Sequence, residues 1–138
     1  MVETEVGECA GVIIDLVSTL VFEAEEKYSW GQQALQSEEY AEAIYHGYNT
    51  FINGAKALLT DLGVEVNTQA GVLNNVDEHF AENKLWNFEG SFRDFVLQIN
   101  KNEPTEEFAK SYLADAELFL GNVQKTAIAD LVQNAIEA

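Results

Sequence analysis

The sequence predicts an all-α protein folded as an antiparallel bundle of about five helices. Apolar residues recur every three or four positions through most of the chain, the spacing that lines one face of a helix. Strand-like alternation is confined to V-E-V-N at 64–67, too short a run, and no alternating pair flanks a hairpin turn. Breakers are few and well spaced: Gly63 and the single proline, Pro104, cut the chain into helix-sized lengths joined by short connections, which favours antiparallel neighbours.

The first helix is expected over 10–36, where Ile13, Val17, Leu20, Ala24, Tyr28 and Leu35 form a stripe that Val12, Leu16 and Val21 widen. Ser37 is placed to cap a second helix over 38–62, with Glu38 and Glu39 favourable to its N-terminal dipole and Gly63 as its stop. Residues 64–70 link it to a third helix over 70–82, capped by Asn67 or Thr68 and carrying Val72, Leu73, Val76 and Phe80. A fourth helix over 84–101 is aromatic-rich: Leu85, Phe88, Phe92, Phe95 or Val96, and Ile99 keep one face, Trp86 lies beside it, and Gly90 is its weak point. Pro104 ends that region. Thr105, Glu106 and Glu107 then open a last helix over 105–136, striped by Phe108, Tyr112, Ala116, Phe119, Val123 and Ala127.

A chain of 138 residues makes one domain with a core that needs no staple. Its 24 acidic against 7 basic residues give a net charge of −17. The seven cations are spread along the chain, whereas nucleic-acid binding needs them clustered, so nucleic acid is excluded as a partner and a basic partner or an apolar contact is favoured. The apolar runs are short and interrupted by charge, so no membrane span is expected. The acidic start, M-V-E-T-E-V-G-E, is unlike a secretory signal, and a cytoplasmic location is expected. Cys9, the single cysteine, cannot pair internally or hold a cluster by itself; it reads as a small hydrophobe.

The stretch A-I-Y-H-G-Y-N-T-F-I-N-G-A-K-A-L-L, residues 43–59, asks whether its polar residues form a site. On a helical wheel Ile44, Tyr48, Phe51, Ile52, Ala55, Leu58, Leu59 and Leu62 share a broad face, His46, Asn49, Thr50, Asn53 and Ala57 gather opposite, and Gly47 and Gly54 lie together on the flank. Two glycines, each costing about 1 kcal/mol in a helix interior, point to the close approach of another helix. The polar row is then solvated, caps a neighbour, or faces a second subunit or a ligand. No metal site is expected: the Glu-x-x-His unit of di-metal bundles fails at His46, preceded at three by Ala43, and at His79, preceded by Val76. Asp77, Glu78 and His79 offer a weak alternative set on an acidic face. Catalytic residues are not expected either, since no nucleophile elbow, phosphate-cradling loop or dinucleotide fingerprint is present.

The run Y-A-E-A-I-Y-H-G-Y-N-T-F-I-N-G-A-K-A-L-L-T-D-L-G-V-E-V-N-T-Q-A-G-V, residues 40–72, resembles the signature of HEPN-type helical domains. With G-E-C-A-G and the helix that follows, residues 7–35, it is similar to the HEPN-like extension after the catalytic core of bacterial nitrite/sulfite reductase-type proteins. That resemblance implies a linker or hinge at 1–9 leaving a preceding domain and a HEPN-like bundle at 10–138. It also implies a non-catalytic accessory role in association or positioning. Siroheme and an iron-sulfur cluster would belong to a separate reductase core, and this chain would hold no cofactor. HEPN nucleases use an arginine followed four to six residues later by a histidine, but no histidine follows Arg93, the single arginine. Such bundles pair, so a homodimer is expected, through Gly47 and Gly54 or the aromatic helix near Trp86 and Phe92. The alternative is a free-standing bundle binding a small ligand or nucleotide near His46, Asn49, Asn53, Asn67 and Thr68.

Overall fold

Three long helices and two short segments build the bundle in a computed structural model. It describes the backbone of residues 2–80 and 90–137, with side chains apart from those of 2–11, 128 and 130–137. The elements are α1 (Val2–Gln36), α2 (Tyr40–Asp61), α3 (Gln69–Phe80), α4 (Phe92–Val96), a 3₁₀ turn over Leu97–Asn100, and α5 (Glu106–Glu137). The described residues contain no strand, and no described helix is long and apolar enough to cross a membrane.

The all-α expectation holds, and the differences lie at helix ends. α1 begins at Val2, so residues 2–9 are helical. No proline interrupts that stretch. Ser37 does not cap α2: the Glu39 N–H donates to the Ala34 carbonyl at 2.8 Å and the Ser37 N–H to that of Gln33 at 3.1 Å. Both residues thereby close α1, and Glu38 takes the left-handed φ of +60° that this exit requires. The same closure ends α2, where Gly63 has φ +79° and the Val64 N–H reaches the Leu59 carbonyl at 2.9 Å. The fourth helix is shorter than 84–101: Gly90 has φ +92°, Ser91 is extended, and its hydroxyl accepts the Asp94 N–H at 3.0 Å, so the helix starts at Phe92. Leu85, Trp86 and Phe88 lie outside the described residues.

α1 and α2 pack antiparallel with small residues at their contact, including Ala24, Gly31, Ala34 and Ala43, all buried. α5 lies against both. Gly47 of α2 faces Tyr112 and Leu113, and Gly54 faces Phe119 and Val123, so α5 runs parallel to α2. Phe51 is the hub of the core, with ring centroids 5.3 Å from Tyr112, 5.4 Å from Phe119, 5.7 Å from Phe95 and 6.0 Å from Phe92. The Tyr112 hydroxyl donates to the Val96 carbonyl at 2.8 Å, which ties α5 to α4.

One end of α1 is not covered by α2. With 35 residues in α1 and 22 in α2, the longer helix exceeds its neighbour by about 20 Å at the usual rise per residue. The stripe read for α1 is therefore buried only in part. Val17 and Ala24 are in the core, whereas Val12 is 58% exposed, Leu16 50% and Ile13 39%.

Candidate functional site

The polar row of α2 is largely consumed by the fold. Thr50 is fully buried, and its hydroxyl donates to the His46 carbonyl at 2.9 Å. Ala57 is buried too, while Leu62, placed on the apolar face, is exposed. A wheel cannot show that α1, α3 and α5 all touch α2. Gly47 and Gly54 do provide a close helix approach, but within the chain: a Cβ on Gly47 would stand 3.0 Å from Tyr112 Cδ2, and one on Gly54 3.0 Å from Phe119 Cε2. Both glycines are covered by α5, as Phe92 is by the core, so these residues do not reach the surface.

Asn49 is half-buried and its amide donates to the Tyr45 carbonyl at 3.2 Å. Asn53 is half-buried, and its side chain makes no hydrogen bond to the described residues. His46 stands edge-on to Trp30 at 5.7 Å and tilted to Tyr45 at 6.0 Å, and its Nδ1 is buried without a hydrogen-bond partner among the described residues. It lines a shallow groove of about 350 Å³ with Trp30, Gln33, Glu39 and Glu42. Lys27 lies over the Trp30 ring at 4.1 Å, and a hydrogen bond to Glu42 holds the Glu39 carboxyl above its ordinary pKa.

The loop after α2 serves two purposes. Thr68 caps α3, its hydroxyl accepting the Gly71 N–H at 3.0 Å, and Tyr48 donates to the Gln69 side chain at 2.7 Å, pinning the loop back onto α2. Residues 64–67 have no regular secondary structure, and Val64 and Val66 both line one groove. Opposite them stand Ile13, Leu16 and Leu20 of α1, with Lys56, Thr60 and Asn67 adding polar groups. Together they enclose a groove of about 530 Å³, within the range of ligand clefts. Asn67 thus belongs to a different groove from His46. Lys56, ten residues beyond His46, is about 15 Å further along the helix. Sequence reasoning missed the apolar part of this site. Its signal was the pair of valines in V-E-V-N, a run too short for a strand but apolar enough to line a groove.

The Asp77, Glu78 and His79 set does not converge. Asp77 caps α4, one carboxylate oxygen accepting the Phe92 N–H at 2.6 Å and the other the Arg93 N–H at 3.1 Å, while Glu78 and His79 are exposed. Among the described residues no three His, Cys, Asp or Glu side chains group so as to hold a metal ion. The Cys9 side chain lies outside the described set. Arg93 donates to the Asn74 side chain at 3.1 Å.

No family model matches the chain. A Methanocaldococcus jannaschii protein named "Putative toxin MJ0605" is 26% identical to it over 122 residues, an alignment that takes in 79% of this chain and 87% of that protein. An all-helical bundle is compatible with the HEPN-like resemblance. The reductase-accessory reading is corrected by the archaeal relative, which consists almost wholly of the matched region and so carries no attached reductase core. The comparison favours the free-standing alternative.

Proposed function

We propose that this chain is a free-standing HEPN-like helical bundle that acts by binding, and that its binding surface is the groove between α1 and the α2–α3 linker. One observation carries the proposal: here Leu16 and Ile13 stay exposed beside the partly buried Leu20, Val64 and Val66, and three side chains with hydrogen-bonding groups, Lys56, Thr60 and Asn67, line the same groove. An apolar cleft with a few convergent polar groups is the ordinary form of a binding site. The archaeal relative supports the free-standing part of the reading, because most of its length is this bundle. Its name brings a second expectation, that overproduction of this chain slows the growth of a bacterial host. A nucleotide suits the groove poorly, since Glu65 lines it and the chain carries a net charge of −17.

The test is a two-dimensional ¹⁵N NMR titration of the full chain with anilinonaphthalene sulfonate, a small apolar probe with one anionic group. Amide shifts should cluster at Leu16, Leu20, Lys56, Val64 and Val66 and disappear in Leu16→Asn. Shifts centred on Trp30 and His46, or none at all, would sink the assignment.

A further inference from the structure

We infer that the occupant of this groove is a basic amphipathic helix of another protein. The inference rests on the groove being the binding surface and adds the chemistry of the partner. Ile13, Leu16 and Leu20 follow one another at three and four along α1, so the apolar floor extends about 10 Å along the helix axis. A trough of two helical turns walled by Val64 and Val66 suits a helix that presents apolar anchors at i, i+3 or i+4, and i+7. Val12, one residue before Ile13 and 58% exposed, adds apolar surface beside the groove. Such a surface serves a long partner better than a compact ligand.

Charge selects among the candidate occupants. Glu65 of the linker lines the groove, Glu23 follows Leu20 by three residues on the same face of α1, and both are exposed. Neither has an ion-pair partner among the described residues, and Lys56 is the one cation among the described residues lining the groove. Lys56 and Glu65 offset each other in the lining, so the excess negative charge is that of Glu23 beside the groove and of a chain of net charge −17. A second copy would bring the same charge to the contact, and an anionic lipid surface or a nucleic acid would be repelled in the same way. Lysines and arginines on the flanks of a partner helix would meet Glu23 and Glu65 while its apolar face covers Leu16 and Leu20. Complementarity of that kind sets the association rate and rejects acidic partners.

The experiment is a fluorescence-anisotropy titration of the full chain against three labelled peptides. The first is an amphipathic leucine-lysine helix, the second its leucine-glutamate counterpart, and the third a scramble of the first that keeps composition but destroys the apolar face. The leucine-lysine helix should bind at least about tenfold more tightly than either control and weaken about tenfold between low salt and 0.5 M NaCl. Leu16→Asp should abolish binding although it adds a negative charge, and Glu65→Lys should weaken it. Equal binding of the scrambled peptide would mean bulk charge attraction, and equal binding of the glutamate peptide would mean that charge does not select; either result overturns the inference. So does peptide binding that Leu16→Asp leaves untouched. If the apolar probe binds the groove but the basic helix does not, the partner assignment falls alone; if neither binds there, the groove itself is wrong.

Discussion

Gly47 and Gly121 are both interior glycines of long helices, yet the same substitution should move stability in opposite directions at the two sites. Alanine is favoured over glycine in a helix by about 1 kcal/mol, and at Gly121 an added methyl meets nothing within 4 Å. Gly121→Ala should therefore stabilise the protein by nearly that amount. At Gly47 the methyl would lie 3.0 and 3.2 Å from the Tyr112 ring and 3.2 Å from Leu113. Tyr112 cannot withdraw easily: it is 2% exposed, its hydroxyl is held by the Val96 carbonyl, and its ring packs on Phe51 and Phe108 at 5.3 and 5.4 Å. Overpacking of a tight core costs about 1–3 kcal/mol, which offsets or exceeds the propensity gain. Gly47→Ala should thus be neutral to destabilising by about 2 kcal/mol. For a chain of 138 residues each kcal/mol corresponds to about 3 °C in melting temperature, so the two variants should separate by about 3–9 °C in calorimetry. A Gly47→Ala variant that melts as high as Gly121→Ala would refute the claim that α5 closes tightly on this face of α2.

Glu38 is exposed and sits at φ +60°, a conformation that costs a non-glycine residue about 1 kcal/mol or more; Glu38→Gly should raise the urea midpoint, with a gain of about 0.5–1 kcal/mol after the extra unfolded-state freedom of glycine is subtracted. Asp77→Ala removes the acceptor of two N–H groups at the start of α4 and should cost about 1–2 kcal/mol in urea unfolding, whereas Glu78→Ala at its exposed neighbour should cost almost nothing. Tyr112→Phe strips the donor from the Val96 carbonyl and should cost about 1–2 kcal/mol at neutral pH. Burial pushes the Tyr112 pKa above the ordinary value of 10.0. The unfolded chain therefore ionises this tyrosine first: its contribution to stability is full below about pH 10 and is lost as the pH rises beyond it. Alkaline denaturation followed by circular dichroism should accordingly be less steep in Tyr112→Phe than in the parent protein.

Much of the helix punctuation was legible because single residues act locally. Gly63 takes the positive φ expected of a helix stop, and Thr68 and Thr105 accept N–H groups of the helices they precede. Ser37 failed because two helix ends compete for the same short segment, and the exit of α1 claims its backbone. At Gly90 the break prevails because Asp77, fifteen residues earlier, supplies acceptors for a new helix start at Phe92, a tertiary partner that no local signal announces. Of the candidate site residues, the glycines correctly announced a close helix approach. They could not say which helix, since a small residue fits an intramolecular neighbour and a second subunit equally well. The polar row of α2 misled for the same reason: Thr50 satisfies its own hydroxyl within the helix and can be buried at little cost, so its polarity carried no information about solvent.

The central position of α2 decides where function can reside. Touched by α1, α3 and α5, it spends Gly47, Thr50 and Gly54 on packing and the Asn49 amide on its own backbone, which leaves His46 at one end and Lys56 and Thr60 toward the other as its offerings to a ligand. The His46 end is shallow and lined by the paired carboxylates Glu39 and Glu42. At the Lys56 end α2 stops at Asp61 while α1 continues past it, and the linker turns back because Tyr48 holds Gln69. A helix longer than its partner and a linker tethered by Tyr48 together create the partly uncovered apolar trough. Neither feature is needed to close the Phe51 core, which α3, α4 and α5 complete without the first turns of α1. Shortening α1 to begin at Val17, which keeps that buried core residue, should therefore leave a folded bundle with its cooperative melt largely intact and abolish binding in the groove, whereas loss of the cooperative melt would show that the overhang belongs to the core rather than to the site.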